Sequence, residues 1–142
     1  KEVAEKTEQV KIGSKLSAYN FSSGALKSAL KSKATTRARQ AAQFQSTFTI
    51  SENPIASTGS KTIYMQIKGP KGVVYQRMSS FIFETENGPV PFTEKKEIDY
   101  QNKSIDMSIY YDIREEILPK GNYKVSIYCE ENLIGSDSFT LK

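Results

Sequence analysis

Apolar and polar residues alternate along most of the chain after residue 40, a two-residue period typical of β-strands with one buried face. The clearest alternation spans residues 41–52, where Phe and Ile alternate with Gln and Thr, and similar rows occupy residues 63–67, 105–111 and 123–129. Turns rich in Gly, Pro and Asn separate the rows at intervals of roughly 8 to 12 residues. The pattern predicts an all-β fold, an immunoglobulin-like antiparallel β-sandwich of about seven to nine strands.

Two turn sequences carry more specific predictions. GPKG at residues 69–72 follows an alternating row and predicts a β-hairpin whose second strand is residues 73–76. A further strand is predicted to begin at Phe81 and to be interrupted by NGP at residues 87–89. Residues 90–100 are expected to continue as a charged edge strand, because Lys and Glu side chains oppose pairing between sheet edges.

The chain before residue 40 has a weaker pattern. Residues 1–10 place two valines seven apart among Glu and Lys, which fits either the last turns of a coiled coil or a frayed helix end. We predict a short helical or disordered tail there and a sandwich domain over residues 11–142. Residues 10–21 are predicted to form a strand with an irregularity at Gly13. Residues 22–40 are predicted to be a basic loop with a short extended piece, or a helix over its middle part.

Positive charge is concentrated in this loop and in the residues just before it. The net charge is +4, but residues 11–39 contain seven Lys or Arg and no Asp or Glu, so the remaining residues sum to 4 − 7 = −3. Such a segment is either a solvated linker or a contact for phosphates of nucleic acid or of an anionic membrane. No aromatic residue lies between Lys27 and Arg39 to stack on bases. The predicted anion or partner contacts are Lys27, Lys31, Lys33, Arg37 and Arg39.

Catalytic chemistry has few candidate residues in this sequence. There is no histidine, and one cysteine, Cys129, which excludes His-dependent triads, the common zinc sites and an internal disulfide. Cys129 continues an apolar row and is expected to be a core residue. The acidic pairs at residues 115–116 and 130–131 lack calcium-loop spacing and are interpreted as solvated charge. We expect no catalytic residue, no cofactor, no metal and no small-molecule substrate.

Tyr64, Tyr110 and Tyr128 lie opposite the apolar rows of their strands. They are predicted to form a shared exposed aromatic patch that stacks on sugars or anchors a protein partner. The alternative is that they pack against loops or neighbouring strands.

The ending LPKGNYKVSIYCEENLIGSDSFTLK resembles the last two strands of many bacterial immunoglobulin-like domains, and Tyr123 within it resembles a tyrosine-corner residue. Together with VKIGSKLSAYNFSSGALK and FTISENPIASTGSKTIYMQIKGPKG, it resembles the C-terminal domain of a Bacteroidetes family of coiled-coil, envelope-associated proteins often labelled chromosome-partitioning. The resemblance covers residues 10–142 and implies an upstream coiled coil. The sequence lacks the Gly-rich phosphate loop that a partitioning ATPase needs.

These observations predict a non-enzymatic interaction or structural module. The resemblance implies that it is the distal domain of a coiled-coil protein anchored in the cell envelope. A protein partner or self-association is expected, and an anionic membrane surface or nucleic acid is the alternative partner of the basic segment. The alternative functions are a basic nucleic-acid-binding module and a carbohydrate-binding β-sandwich.

Overall fold

The computed structural model describes residues 16–27, 33–114 and 117–142. Within these ranges the chain forms ten β-strands and one short 3₁₀ turn, Ala38–Gln40. The strands are β1 (Ala18–Leu26), β2 (Ala34–Thr35), β3 (Gln43–Ile50), β4 (Gly59–Lys68), β5 (Ile82–Thr85), β6 (Gly88–Pro91), β7 (Glu94–Tyr100), β8 (Ile105–Asp112), β9 (Gly121–Cys129) and β10 (Asn132–Leu141). No helix in the described ranges is long and apolar enough to cross a bilayer.

Two four-stranded antiparallel sheets form a sandwich, in the orders β2-β1-β3-β8 and β10-β9-β4-β7. Placing β1, β3 and β8 in one sheet and β4, β9 and β10 in the other matches the A-B-E and C-F-G sets of the immunoglobulin fold. The predicted all-β sandwich is confirmed, and its eight strands lie within the predicted number. The hairpin β5-β6 is additional.

Aromatic side chains dominate the space between the sheets. Alternate residues of β3 point inward, so Phe44, Phe48 and Ile50 are all buried. Phe44 lies at the centre, and the centroids of four other rings are 5.6 to 6.3 Å from its own, namely those of Tyr75, Tyr111, Tyr123 and Phe139. Burial of each large apolar side chain contributes about 1.5–3 kcal/mol. Packing within this cluster therefore holds the two sheets together.

A tyrosine corner precedes β9, as the resemblance implied. The Tyr123 hydroxyl donates a hydrogen bond to the Pro119 carbonyl oxygen at 2.5 Å. Gly121 follows with φ +138°, and a Cβ at this glycine would lie 2.9 Å from side-chain carbons of Pro70. Only glycine accommodates both the positive φ and this close approach. The corner therefore packs directly against the loop that follows β4.

The predicted hairpin over residues 69–76 is confirmed at its turn, but residues 73–76 do not form the predicted second strand. The turn itself forms, with the Gly69 N–H donating to the Val73 carbonyl at 2.8 Å, but pairing beyond it stops at one isolated bridge between Lys68 and Val74. Strand β7 pairs with β4 only as far as Met65, and Thr93 bonds the Met65 carbonyl and the Ile67 N–H on the same edge, which leaves only the last residues of β4 for the returning chain. Tyr75 instead directs its ring into the core beside Phe44.

The hairpin β5-β6 occupies the region where one interrupted strand was predicted. Its turn contains Gly88 with φ +104°, which the sequence identified as a break. Residues 90–100 do not form one strand, because the chain leaves β6 and crosses to the sheet at Thr93. The buried Thr93 donates its N–H to the Met65 carbonyl at 2.7 Å and accepts from the Ile67 N–H at 2.8 Å.

The N-terminal predictions have mixed outcomes. Strand β1 extends to Leu26, so the first part of the predicted basic loop, residues 22–26, belongs to the sheet. A register shift in β1 lies between Tyr19 and Ser22, where Asn20 has φ +55°. The predicted coiled-coil exit at residues 1–10 and the irregularity at Gly13 lie outside the described residues.

Replacing Tyr123 by Phe tests the corner. The variant loses the hydroxyl that satisfies the Pro119 carbonyl, so we expect the free energy of unfolding to fall by about 1–2 kcal/mol in urea denaturation. Tyr110→Phe is the matched control, because its exposed hydroxyl only accepts a 3.2 Å bond from Gln45 and its loss costs less than about 0.5 kcal/mol. Equal effects of the two changes would contradict this role of Tyr123.

Candidate anion-binding site

Several connections meet at one end of the sandwich. Because the sheets are antiparallel, β1, β4, β8 and β10 end where β3 and β9 begin. Residues 33–40, 69–77, 117–121 and Lys142 therefore share this end, which we call the basic end. Backbone bonds tie two of them together, since the Ala38 N–H donates to the Lys142 carbonyl at 3.0 Å and the Lys142 N–H to the Thr36 carbonyl at 2.6 Å.

Four basic side chains converge on one cleft of about 320 Å³ at the basic end. Its lining consists of Arg37, Arg39, Lys120 and Lys142. The 3₁₀ turn positions the two arginines, because its first residue, Ala38, is buried and the residues on either side of it, Arg37 and Arg39, are exposed. Lys120 belongs to the corner before β9, and Lys142 follows β10. We call this group the four-cation cleft.

The electrostatics of this cleft favour an anion. Four like charges around one small space repel one another and raise the local positive potential. Among the described residues, no carboxylate forms an ion pair with any of the four. Arginine also offers paired N–H donors whose geometry matches carboxylate and phosphate oxygens. The arrangement can therefore hold a carboxylate or a phosphate without further chemistry.

A second cleft of about 460 Å³ adjoins the first and shares Arg37. Lys27, Thr35 and Gln40 also line it, and the Thr35 hydroxyl donates to Gln40 Oε1 at 3.0 Å. The Lys27 N–H donates to the Lys33 carbonyl at 2.7 Å, which places these two exposed lysines at neighbouring positions. The basic surface thus continues from the four-cation cleft toward β1.

The five predicted basic contacts are only partly brought together. Arg37 and Arg39 share the four-cation cleft, Lys27 lines the adjoining one, and Lys33 is exposed nearby. Lys31 lies outside the described residues. Sequence reasoning missed Lys120 and Lys142, which lie far from the basic segment in the chain. The backbone pairing of Lys142 with residues 36–38 and the pairing of β9 with β10 bring them there, and no local motif signals either.

The predicted shared tyrosine patch does not form. Tyr64 and Tyr128 pair across β4 and β9, but the β5-β6 hairpin covers them. The Phe83 ring stacks on Tyr64 with 4.0 Å between centroids and meets Tyr128 edge-to-face at 5.1 Å. This burial, with a smaller contribution from Glu130, raises the pKa of Tyr64. Tyr110 lies on the outer face of the other sheet, on the opposite side of the molecule. The arrangement that suggested carbohydrate binding is therefore absent.

Comparison with known proteins gives a family without an assigned activity. Residues 18–142 match the sequence profile of a family described as a domain of unknown function, DUF8428. The chain belongs to the DUF8428 family. No curated protein matches the sequence significantly.

Several solved structures are distantly similar to this DUF8428 domain. One is that of Pseudomonas fluorescens alkylpurine DNA glycosylase AlkC bound to DNA containing an abasic site analog, with 11% sequence identity and a TM-score of 0.47. The similarity covers 96% of this chain and 33% of that chain.

The remaining candidate groups of the DUF8428 domain are its possible metal ligands, its acidic pairs and Cys129. Within the described part of the chain, no three His, Cys, Asp or Glu residues are grouped so as to hold a metal ion. Glu130 and Glu131 are exposed in the turn between β9 and β10, and residues 115–116 lie outside the described ranges. Cys129 is buried, as predicted. Burial raises the pKa of its thiol to about 11, Lys61 opposes this shift, and Glu130 adds to it.

Thiol modification tests this placement of Cys129. Because the thiolate is the nucleophile and the pKa is about 11, the rate of reaction with iodoacetamide in the folded domain should be low at pH 8. It should rise about tenfold per pH unit and level off only near pH 11. Urea-unfolded protein is the control, and its rate should level off near the ordinary pKa of about 8.5. A plateau near that value in the folded domain would contradict the buried environment.

Proposed function

We propose that this domain is a non-enzymatic binding module that recognises an anionic partner at its basic end. One observation carries the proposal: Arg37, Arg39, Lys120 and Lys142 line a single cleft, and among the described residues no carboxylate pairs with them. Clustering like charges without partners costs stability, and proteins accept such costs chiefly where function requires them. An anionic group in the cleft offsets the repulsion.

Binding, in this proposal, needs only fixed positive charge and bidentate donors. Both arginines flank Ala38, which is buried and bonded through its backbone to Lys142, so the positions of their backbones are set before a partner arrives. Such preorganisation reduces the entropy lost on binding. The clefts are open to solvent, so the attraction is expected to weaken as salt is added.

In the longer protein, we place this module at the distal end of a coiled coil that is anchored in the cell envelope. The support is the resemblance of residues 10–142 to the C-terminal domain of such proteins, together with the two valines seven apart in residues 1–10. A binding module held away from its anchor would reach either a protein partner or a neighbouring surface.

Titration with inorganic pyrophosphate tests the proposed site. At low ionic strength, amide signals of residues around the four-cation cleft should shift in nuclear magnetic resonance spectra of the labelled domain. The double variant Arg37→Gln with Arg39→Gln should bind at least about tenfold more weakly, because two of the four charges are lost. Added salt should weaken binding to the wild type.

The control variant Lys95→Gln with Lys103→Gln removes the same charge from exposed positions on β7 and after it. It should bind within about twofold of the wild type, because both lysines lie outside the cleft lining. Equal weakening in the two variants would show a diffuse effect of net charge, and would contradict a specific site. Binding that does not depend on salt would do the same.

A further inference from the structure

We propose that the anionic partner is the surface of a lipid bilayer, on which the basic end docks with Val73 and Ile117 entering the headgroup layer. This inference rests on the proposed function and specifies its partner. It starts from a second, apolar cleft at the same end of the sandwich.

The apolar cleft measures about 650 Å³ and lies between residues 69–76 and the pair Ile117 and Pro119. Two exposed aliphatic side chains, which come from separate connections, line this cleft. Val73 is 58% exposed and Ile117 is 93% exposed. A single exposed aliphatic residue is ordinary, but two that border one apolar cleft form a surface that indicates an interaction site.

The apolar cleft lies next to the four-cation cleft. Pro119 lines the first and Lys120, the next residue, lines the second. The Tyr123 hydroxyl holds Pro119 in place, and Pro70 packs against Gly121 within the same corner. The apolar and basic surfaces are therefore fixed side by side and meet the same partner.

A bilayer surface matches this combination better than nucleic acid does. Anionic headgroups attract clustered Lys and Arg, and aliphatic side chains beside them partition into the headgroup and acyl boundary. Nucleic-acid surfaces pair their cations with aromatic rings that stack on bases. The large exposed apolar side chains that line this cleft are aliphatic, namely Val73 and Ile117.

The protrusion of Ile117 also favours a lipid surface over a protein partner. A side chain with 93% of its surface in solvent would need a matching pocket on a protein, whereas a bilayer receives it without shape complementarity. Lysine and arginine side chains around it can extend to the headgroups while their stems cover apolar surface. The docked domain would thus stand with its sheets away from the membrane.

Co-sedimentation with lipid vesicles tests the inference. The wild-type domain should bind vesicles of mixed phosphatidylglycerol and phosphatidylcholine, and should not bind pure phosphatidylcholine. Val73→Ser with Ile117→Ser should weaken binding to the anionic vesicles at least about tenfold, because the apolar contacts are lost. The same variant should keep its affinity for pyrophosphate, since the four-cation cleft is intact.

A matched control uses two aliphatic residues exposed elsewhere. Ile55 and Leu133 are 57% and 56% exposed, and replacing both by Ser should leave vesicle binding unchanged. Pyrophosphate binding without binding to anionic vesicles would overturn the lipid inference and leave the proposed function standing. Vesicle binding that the Val73 and Ile117 changes do not affect would also overturn it, as would tighter binding to DNA than to vesicles. Failure to bind either pyrophosphate or vesicles would overturn the proposed function itself.

Discussion

The Tyr123 side chain makes the interaction on which both the fold and the candidate site depend. Its ring is fully buried, stacked 5.3 Å from Phe139 and packed near Phe44, while its hydroxyl reaches out of the core to the Pro119 carbonyl. Burial raises the pKa of this hydroxyl, and a hydrogen bond with Tyr75 adds to the shift, so the group remains a donor at all ordinary pH values. The core thereby determines the path of residues 118–121. These residues separate the apolar cleft from the four-cation cleft.

The two ends of the sandwich differ in the charges that their connections expose. The basic end holds the four-cation cleft, whereas the turns at the other end expose Glu52, Glu130 and Glu131 together with Lys103. Repulsion among clustered like charges opposes folding. A partner that carries negative charge would relieve this repulsion. The proposed docking through the basic end rests on this difference between the two ends.

Sequence reasoning succeeded where the physical cause is local. Strands β3, β4, β8 and β9 each bury one face, so a two-residue period reveals them. Sequence reasoning failed where contacts between distant segments determine the structure. The turn at residues 69–72 has hairpin chemistry, but β7 and Thr93 already occupy most of the β4 edge on which the second strand would pair. Tyr64 and Tyr128 point away from the core, as predicted, yet a hairpin from another part of the chain covers them. Lys120 and Lys142 lie beside the predicted arginines only because of backbone pairing between distant segments, which the local sequence does not indicate.

Depth-dependent relaxation tests the central claim most directly. In this measurement, the labelled wild-type domain is bound to anionic nanodiscs that carry a paramagnetic lipid, and methyl signals report proximity to the bilayer. The account predicts the strongest broadening at Val73 and Ile117, weaker effects near Arg37 and Lys120, and none at Leu133 on β10. Strongest broadening at Leu133, or at Ile55 before β4, would place a different surface on the membrane and contradict the account.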